Sequence, residues 1–211
     1  MRPVGHLAAV AKFLDHLGVA LREMGEYDLA QEQFLESKAI FSELDAKSAL
    51  LFASNHLAGI AMVKGQIEES IEQFQQVIAM ARELGDRRAL AYNSLDLGEI
   101  LYSMLESDGH DDETIVRRSA AVDLISQSLA IFQEIGEPFG AVLAQAQLAA
   151  VQYTTDFLAG EKGYFQALKT ALEIKSHRLV NETLLTYANS LRIAGNVTDA
   201  LEILGCVLQN A

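Results

Sequence analysis

The sequence is poor in the residues that interrupt helices or favour strands. Only Pro3 and Pro138 are prolines among its 211 residues, tryptophan is absent, and runs of β-branched residues are scarce. Proline inside a helix removes a hydrogen bond and clashes with the preceding turn, whereas the abundant Ala, Leu, Glu and Gln have high helix propensity. The composition therefore predicts an all-α chain with ample apolar residues for a core.

Cysteine and long apolar runs are also scarce, and both bear on where the protein works. Cys206 is the single cysteine, so no internal disulfide can form, and its apolar helical surroundings predict a buried thiol. The apolar N-terminal run ends at Lys12, too early for the core of a signal peptide, and no later run approaches the length of a membrane span. We therefore expect a cytoplasmic protein without a membrane partner.

Positive charge is scarce as well: 16 Lys and Arg face 29 Asp and Glu, for a formal net charge of −13. Such a chain repels phosphate backbones, and no cluster of basic and aromatic residues offsets the repulsion, so we expect no nucleic-acid partner. The five histidines are dispersed, and patterns typical of a catalytic nucleophile, a phosphate loop or a zinc protease are absent. We therefore predict no enzymatic activity and no cofactor.

What the sequence does contain is a long internal repeat. The segments Ala39–Asp45, Ala79–Asp86 and Ala130–Glu137 match closely, and their starts are 40 and 51 residues apart. Leu-Gly or Leu-Ala pairs that begin at positions 17, 57, 97 and 148 repeat the same spacings. A unit of 40 residues, with an insertion of 11 in the third copy, accounts for both series.

Each unit is predicted to form two amphipathic helices of about 16 to 18 residues that are joined by a turn. The small residue of each Leu-Gly or Leu-Ala pair is expected where the two helices cross, because a larger side chain there would force the backbones apart. The predicted turns lie at Gly25-Glu26, Gly65-Gln66, 106–112, Ala159-Gly160 and Gly195-Asn196.

These positions resemble the pattern of the tetratricopeptide repeat (TPR) superfamily, which places Leu-Gly on the first helix and a small residue followed by Phe on the second. The first unit fits with Leu17, Gly18, Ala30 and Phe34, and the second fits with Leu57, Ala58, Ser70 and Phe74. In the fourth unit we assign Gly163 and Ala167 to the small-residue and Phe positions. The length of about 40 residues is similar to that of a long-repeat variant found in bacterial peptide-sensing regulators and signalling sensor domains.

The resemblance implies a fold and a role. The fold would be a right-handed α-α superhelix, a TPR-like solenoid of about five helical hairpins in a single domain, 1–211, with repeats at about 4–44, 46–84, 86–135, 138–176 and 177–210. The role would be to bind a protein or peptide as the sensor or scaffold part of a bacterial signalling or regulatory protein. The partner itself is not identified by the sequence.

The resemblance also implies which residues contact the ligand, because the first helix of each hairpin lines a concave groove in TPR stacks. Candidates are the polar and aromatic residues of these helices that packing does not require: Lys12, His16, Arg22, Phe52, Asn55, His56, Tyr92, Glu99, Tyr102, Gln147, Tyr153, Asn189 and Arg192. Among them Asn55 is the leading candidate, since a carboxamide can pair with both the N–H and the C=O of an extended peptide. The alternative is that these residues form ordinary solvated helix faces.

Two features suggest a metal site, and neither predicts one. His16 and His56 are equivalent positions in neighbouring repeats, but stacked hairpins would hold them about 10 Å apart, too far to share a zinc ion. The acidic insertion near 106–116 includes Asp108, His110 and Asp111, yet lacks the spacing of a calcium loop. We interpret it as a mobile acidic loop followed by a lengthened second helix, which Asp111 or Asp112 caps and whose positive end lies near Glu113.

The last predicted helix is apolar on more than one side, with Leu201, Leu204 and Leu208 among its apolar residues. Because large exposed apolar patches seldom persist, this helix is predicted to pack on a second copy or on a neighbouring domain. A scaffold that assembles through the ends of the solenoid is therefore an alternative to a peptide-binding module.

Overall fold

The computed structural model describes residues 4–106 and 112–209, and in these ranges the chain forms ten α-helices, one short 3-10 helix and no strand. The all-α prediction is confirmed. The helices are α1 Val4–Glu23, α2 Tyr27–Glu43, α3 Lys47–Val63, α4 Ile67–Leu84, α5 Arg87–Ser103, α6 Asp112–Glu134, α7 Pro138–Tyr153, α8 Phe157–Glu173, α9 His177–Ile193 and α10 Val197–Gln209, and the 3-10 helix is Met104–Glu106.

Left-handed residues end the helices at most of the turns. Gly25, Gly65 and Gly195 have φ of 81°, 75° and 86° and close the turns inside three hairpins, as predicted. In the first of these turns the Glu26 N–H donates to the Leu21 carbonyl at 2.9 Å, a bond typical of a Schellman motif. Glycine suits these positions because it adopts positive φ without steric cost.

The links from one hairpin to the next also contain a residue with positive φ. Gly85 and Gly136 each have φ of 67°, and the equivalent residues Asp45 and Lys175 adopt φ of 48° and 56° although they are not glycine. At each link the following N–H donates to the carbonyl five residues earlier, as from Ala46 to Phe41 at 3.0 Å. The four links therefore share one backbone conformation.

The turn predicted at Ala159-Gly160 is wrong, because both residues lie inside α8. The helix begins earlier, where the Asp156 carboxylate accepts a hydrogen bond from the Ala159 N–H at 3.1 Å. Glycine suits position 160 for another reason: a Cβ there would lie 2.6 Å from Cα of Tyr153 on α7. Gly160 and Tyr164, rather than Gly163 and Ala167, therefore occupy the small-residue and Phe positions of this hairpin.

The chain divides into two compact units, Met1–Asn93 and Ser94–Ala211, with the boundary inside α5. In the first unit α1 packs on α2, α2 on α3, and α3 on α4. Phe34 is fully buried in a cluster with Ala30, Leu57 and Ile60. A Cβ on Gly18 would lie 2.6 Å from the Phe34 ring, which confirms that this Leu-Gly pair marks a close contact between helices.

In the second unit α6 to α10 pack each on the next, and α7 also contacts α9. Gly98 allows the same kind of close contact, since a Cβ there would lie 2.6 Å from Cγ1 of Ile125 on α6. At 23 residues α6 is longer than the helices around it, and Glu113 lies in its first turn, as predicted; Asp112, one of the two cap candidates, is the first residue of the helix. Residues 107–111, which include Asp108, His110 and Asp111, lie outside the described residues.

Cys206 is exposed, so the prediction of a buried thiol is wrong. The buried side of α10 is formed by Ala200 and Val207 instead. An apolar pattern on this short helix was not sufficient to identify its buried side, because several apolar residues of α10 face solvent.

Candidate functional site

A cavity of about 320 Å³ lies along α5, α7 and α9 of the second unit. Each of the three is the first helix of its hairpin, and together they contribute Glu99, Tyr102 and Ser103, Gln147 and Ala150, and Leu185, Thr186, Asn189 and Ser190. Four residues selected from the sequence, Glu99, Tyr102, Gln147 and Asn189, thus line one cavity.

Hydrogen bonds hold the polar side chains of this cavity in place. The Gln147 amide donates to the Glu99 carboxylate at 3.1 Å, which joins α7 to α5. Tyr102 is buried, and its hydroxyl donates to the backbone carbonyl of Ala150 at 3.0 Å. The Arg192 guanidinium donates to Oδ1 of Asn189 at 3.1 and 2.8 Å, which orients the Asn189 amide.

The electrostatics of α5 are unusual next to this cavity. Burial and, to a smaller extent, the nearby Glu99 carboxylate together raise the pKa of Asp96 to about 7. Burial also raises the pKa of Glu99, and the bond from Gln147 opposes that shift. Among the residues that line the cavity, Glu99 is the one with an ionisable carboxyl group. The cavity therefore favours a ligand that offers hydrogen-bond donors or positive charge.

In the first unit Asn55 belongs to a pair of carboxamides. Its Nδ2 donates to Oδ1 of Asn93 at 2.7 Å, and Nδ2 of Asn93 donates to the Ala89 carbonyl at 2.7 Å. Sequence reasoning missed Asn93, which is buried on α5. The signal was available, because the equivalent residues of α3 and α7 are Ala53 and Ala144.

His56 lies in a packed environment. Its ring stacks on Phe34 with centroids 4.7 Å apart, and Nε2 lies 3.6 Å from Oδ2 of Asp15. Burial lowers the pKa of His56 and raises that of Asp15, and the attraction between the two groups opposes both shifts. The equivalent residue His16 is exposed. In the described part of the chain, no group of three or more His, Cys, Asp and Glu side chains is placed to hold a metal ion.

The other residues selected from the sequence are dispersed. Lys12 and Phe52 are exposed, Arg22 is half-buried, and the Arg88 guanidinium lies 5.7 Å from the ring centroid of the half-buried Tyr92.

Tyr153 is only 4% exposed, which leaves little of its side chain for a ligand. Its ring packs against Phe157, Tyr164 and Tyr187, with centroids 4.9, 6.2 and 5.9 Å away. This position is part of the core of the second unit, because the three rings come from α8 and α9.

The helices of the described ranges include none with the length and apolar character needed to cross a membrane. No protein-family model matches the sequence. No curated protein matches it either.

Solved structures do match the fold. Aspartyl phosphate phosphatase F from Bacillus subtilis superposes with a TM-score of 0.80 at 14% identity, over 96% of this chain and 50% of that one. The Rap conjugation gene regulator of plasmid pLS20, in complex with a Phr peptide, gives 0.72 at 15% identity, over 93% and 52%. A signal transduction ATPase from Pyrococcus horikoshii with a tetratricopeptide repeat sensor gives 0.72 at 14% identity, over 97% and 30%.

The chain thus spans about half of each of the first two proteins and 30% of the third. Sequence identities this low support a conclusion about the fold only. From its repeated helical hairpins, the small residues at their close contacts and these superpositions, the chain has the fold of the tetratricopeptide-like helical-repeat proteins.

Proposed function

We propose that this chain is a non-enzymatic module that binds a polypeptide segment, as the sensor or scaffold part of a bacterial signalling or regulatory protein in the cytoplasm. The observation that carries the proposal is the meeting of Glu99, Gln147 and Asn189 from three successive first helices in one cavity. The ligand would lie across α5, α7 and α9.

The chemistry of the cavity suits a peptide backbone. Carboxamides carry both donors and acceptors, so Gln147 and Asn189 can bond to the C=O and N–H groups of an extended chain. Leu185 is an exposed apolar residue of the same cavity and offers contact to a side chain. A volume of about 320 Å³ is at the lower end of the range for ligand sites, which suits a few peptide residues better than a large cofactor.

Within the first unit, Asn55 is a separate candidate contact for a polypeptide. Asn55 and Asn93 form a carboxamide pair there, and a ligand can reach the half-buried Asn55. In support, the Rap regulator that resembles this chain in fold is solved with a peptide. We extend that property to this chain as part of the proposal.

The test is selection from a random peptide library with the full chain, followed by affinity measurements on the selected peptides. Replacing Gln147 and Asn189 together by Ala removes two hydrogen bonds to the bound peptide. At about 1 kcal/mol net for each bond, this corresponds to about 30-fold weaker binding. Gln166→Ala on α8 is the matched control, because Gln166 is an exposed amide outside the cavity. Peptides that bind the double variant and the wild type equally would refute the assignment of the cavity.

A second candidate function is assembly through the C-terminal helix. On α10 Leu201 is 63% and Leu208 is 80% exposed. The residues of α8 equivalent to Leu201 and Leu204 are Glu161 and Tyr164, which bond to Tyr187 at 3.0 Å and to Ser190 at 2.6 Å on the next hairpin. A second copy or a neighbouring domain would cover the same positions on α10.

Light scattering at increasing protein concentration tests this second candidate. We expect an increase in mass for the wild type that Leu208→Glu abolishes. A constant monomer mass, with unchanged solubility of Leu208→Glu, would exclude self-association through α10.

A further inference from the structure

The outer face of α8 has an apolar stripe that the helical hairpin does not need. Leu158, Phe165 and Leu172 follow one another at intervals of seven residues and are 74%, 64% and 64% exposed. Lys162 and Lys169 lie between them at helical spacing and are also exposed. Residues three, four and seven apart lie on one side of a helix, so the five side chains form one continuous surface, the α8 stripe.

Comparison with the other hairpins shows that the fold does not require these residues. The second helices align on the buried residues Phe34, Phe74, Ile125 and Tyr164. In that alignment Leu158 corresponds to Asp28, Glu68, Ser119 and Thr198. Among the counterparts of Phe165 and Leu172, only Leu35 has an apolar side chain. In the other second helices these positions are thus mostly not apolar, so packing within a hairpin does not require apolar side chains there.

One of the two lysines of the α8 stripe also reverses the charge found at its position in the other hairpins. Lys162 corresponds to an acidic residue in every other second helix, namely Glu32, Glu72, Asp123 and Glu202. Lys169 has one ion pair, with Glu173 at 4.0 Å, and both side chains are well exposed. An exposed pair of this kind contributes little and leaves Lys169 open to another partner. The α8 stripe is therefore both apolar and basic on a chain of net charge −13.

We propose that the α8 stripe docks an amphipathic α-helix of another protein whose apolar face is flanked by Asp and Glu. The interval from Leu158 to Leu172 corresponds to about 21 Å of helix, which suits a partner helix of two or more heptads. Leu158, Phe165 and Leu172 supply the apolar contact, and the two lysines select an acidic partner. This surface lies outside the cavity of α5, α7 and α9, so the inference is independent of the proposed peptide site.

Charge argues against the other occupants of the stripe. If two copies paired through α8, Lys162 would face a lysine of the second copy in either orientation, and like charges at this distance are destabilising. An anionic membrane would attract the two lysines but repel a chain whose formal net charge is −13. An acidic helix avoids both conflicts, because it meets the lysines locally.

The probe is a labelled synthetic helix of about three heptads, with Leu on one face flanked by Glu, and its matched control has every Glu replaced by Lys. Fluorescence anisotropy with the full chain at low salt should show saturable binding of the acidic helix and at least about tenfold weaker binding of the basic one. Lys162→Glu combined with Lys169→Glu should reverse this preference.

Two further variants separate the stripe from general surface effects. Phe165→Gln introduces the residue found at position 75 and should weaken binding by about tenfold or more, while Leu35→Gln on α2 should leave it unchanged. Circular dichroism would verify that each variant is folded. The proposal is overturned by equal binding of both helices, by no binding of the acidic helix, by self-association that Phe165→Gln abolishes, or by a stronger response to vesicles rich in phosphatidylserine.

Discussion

Gly160→Ala offers a direct test of why small residues recur along this chain. The added Cβ would lie 2.6 Å from Cα, 2.8 Å from Cβ and 2.8 Å from N of Tyr153. Carbon atoms in favourable contact are about 3.5–4.0 Å apart, so α7 and α8 would have to separate by about 1 Å. Two of the three crowded atoms belong to the backbone, and a change of rotamer cannot relieve the clash.

The magnitude follows from two opposing effects. Overpacking in a tight core costs about 1–3 kcal/mol, and contact with backbone favours the upper part of that range. Alanine is about 1 kcal/mol better than glycine inside a helix. We therefore expect Gly160→Ala to lower the free energy of unfolding by about 2 kcal/mol.

Gly205→Ala is the matched control, because Gly205 lies inside α10 of the same unit and a Cβ there would meet nothing within 4 Å. This variant should raise stability by up to about 1 kcal/mol through helix propensity alone. Urea unfolding followed by circular dichroism measures both variants. If Gly160→Ala were as stable as the wild type, the close contact of α7 with α8 would not be what selects glycine at that position.

Two further predictions concern Asp96 and Tyr164 of the second unit. Asp96 has a pKa of about 7 against an ordinary value of 3.8, so the contribution of its protonated carboxyl group to stability is present below pH 3.8 and is lost as pH rises towards 7. Asp96→Asn should raise the free energy of unfolding at pH 8 by up to about 4 kcal/mol and flatten the pH dependence of that free energy between pH 3.8 and 7. Urea unfolding across pH measures the effect, and an unchanged pH profile would contradict the assignment. Tyr164→Phe removes a 2.6 Å hydrogen bond to the buried Ser190 and should lower the free energy of unfolding by about 1–2 kcal/mol, measured by thermal or urea unfolding. Adding Ser190→Ala should recover part of this loss, whereas full additivity of the two changes would argue that the hydroxyl groups do not interact.

Much of the fold was predictable because its signals are local and repeated. The Leu-Gly and Leu-Ala pairs recur at fixed spacing, and Gly18 and Gly98 do allow close contact with Phe34 and Ile125. The failure at Gly160 has a physical cause. Glycine serves both turns with positive φ and close contacts between helices, and only the presence of a neighbour such as Tyr153 distinguishes the two uses.

The candidate site was less predictable, because the sequence indicates which helix carries a residue more readily than which side of that helix is open. Glu99, Gln147 and Asn189 do line one cavity, and their role as ligand contacts stays a prediction. Tyr153 was selected by the same reasoning and lies in the core, since an aromatic side chain suits both environments. Asn93 was missed because its contact with Asn55 joins two helices.

The links between hairpins have a consequence for how such a chain can change. Asp45 and Lys175 adopt nearly the backbone conformation of Gly85 and Gly136, although left-handed backbone costs an ordinary L-residue about 1–2 kcal/mol. The free energy that stabilises the left-handed conformation at these two links must therefore come from the packed helices on either side. The left-handed residue of a link can then be replaced by other amino acids without altering the path of the backbone from one hairpin into the next.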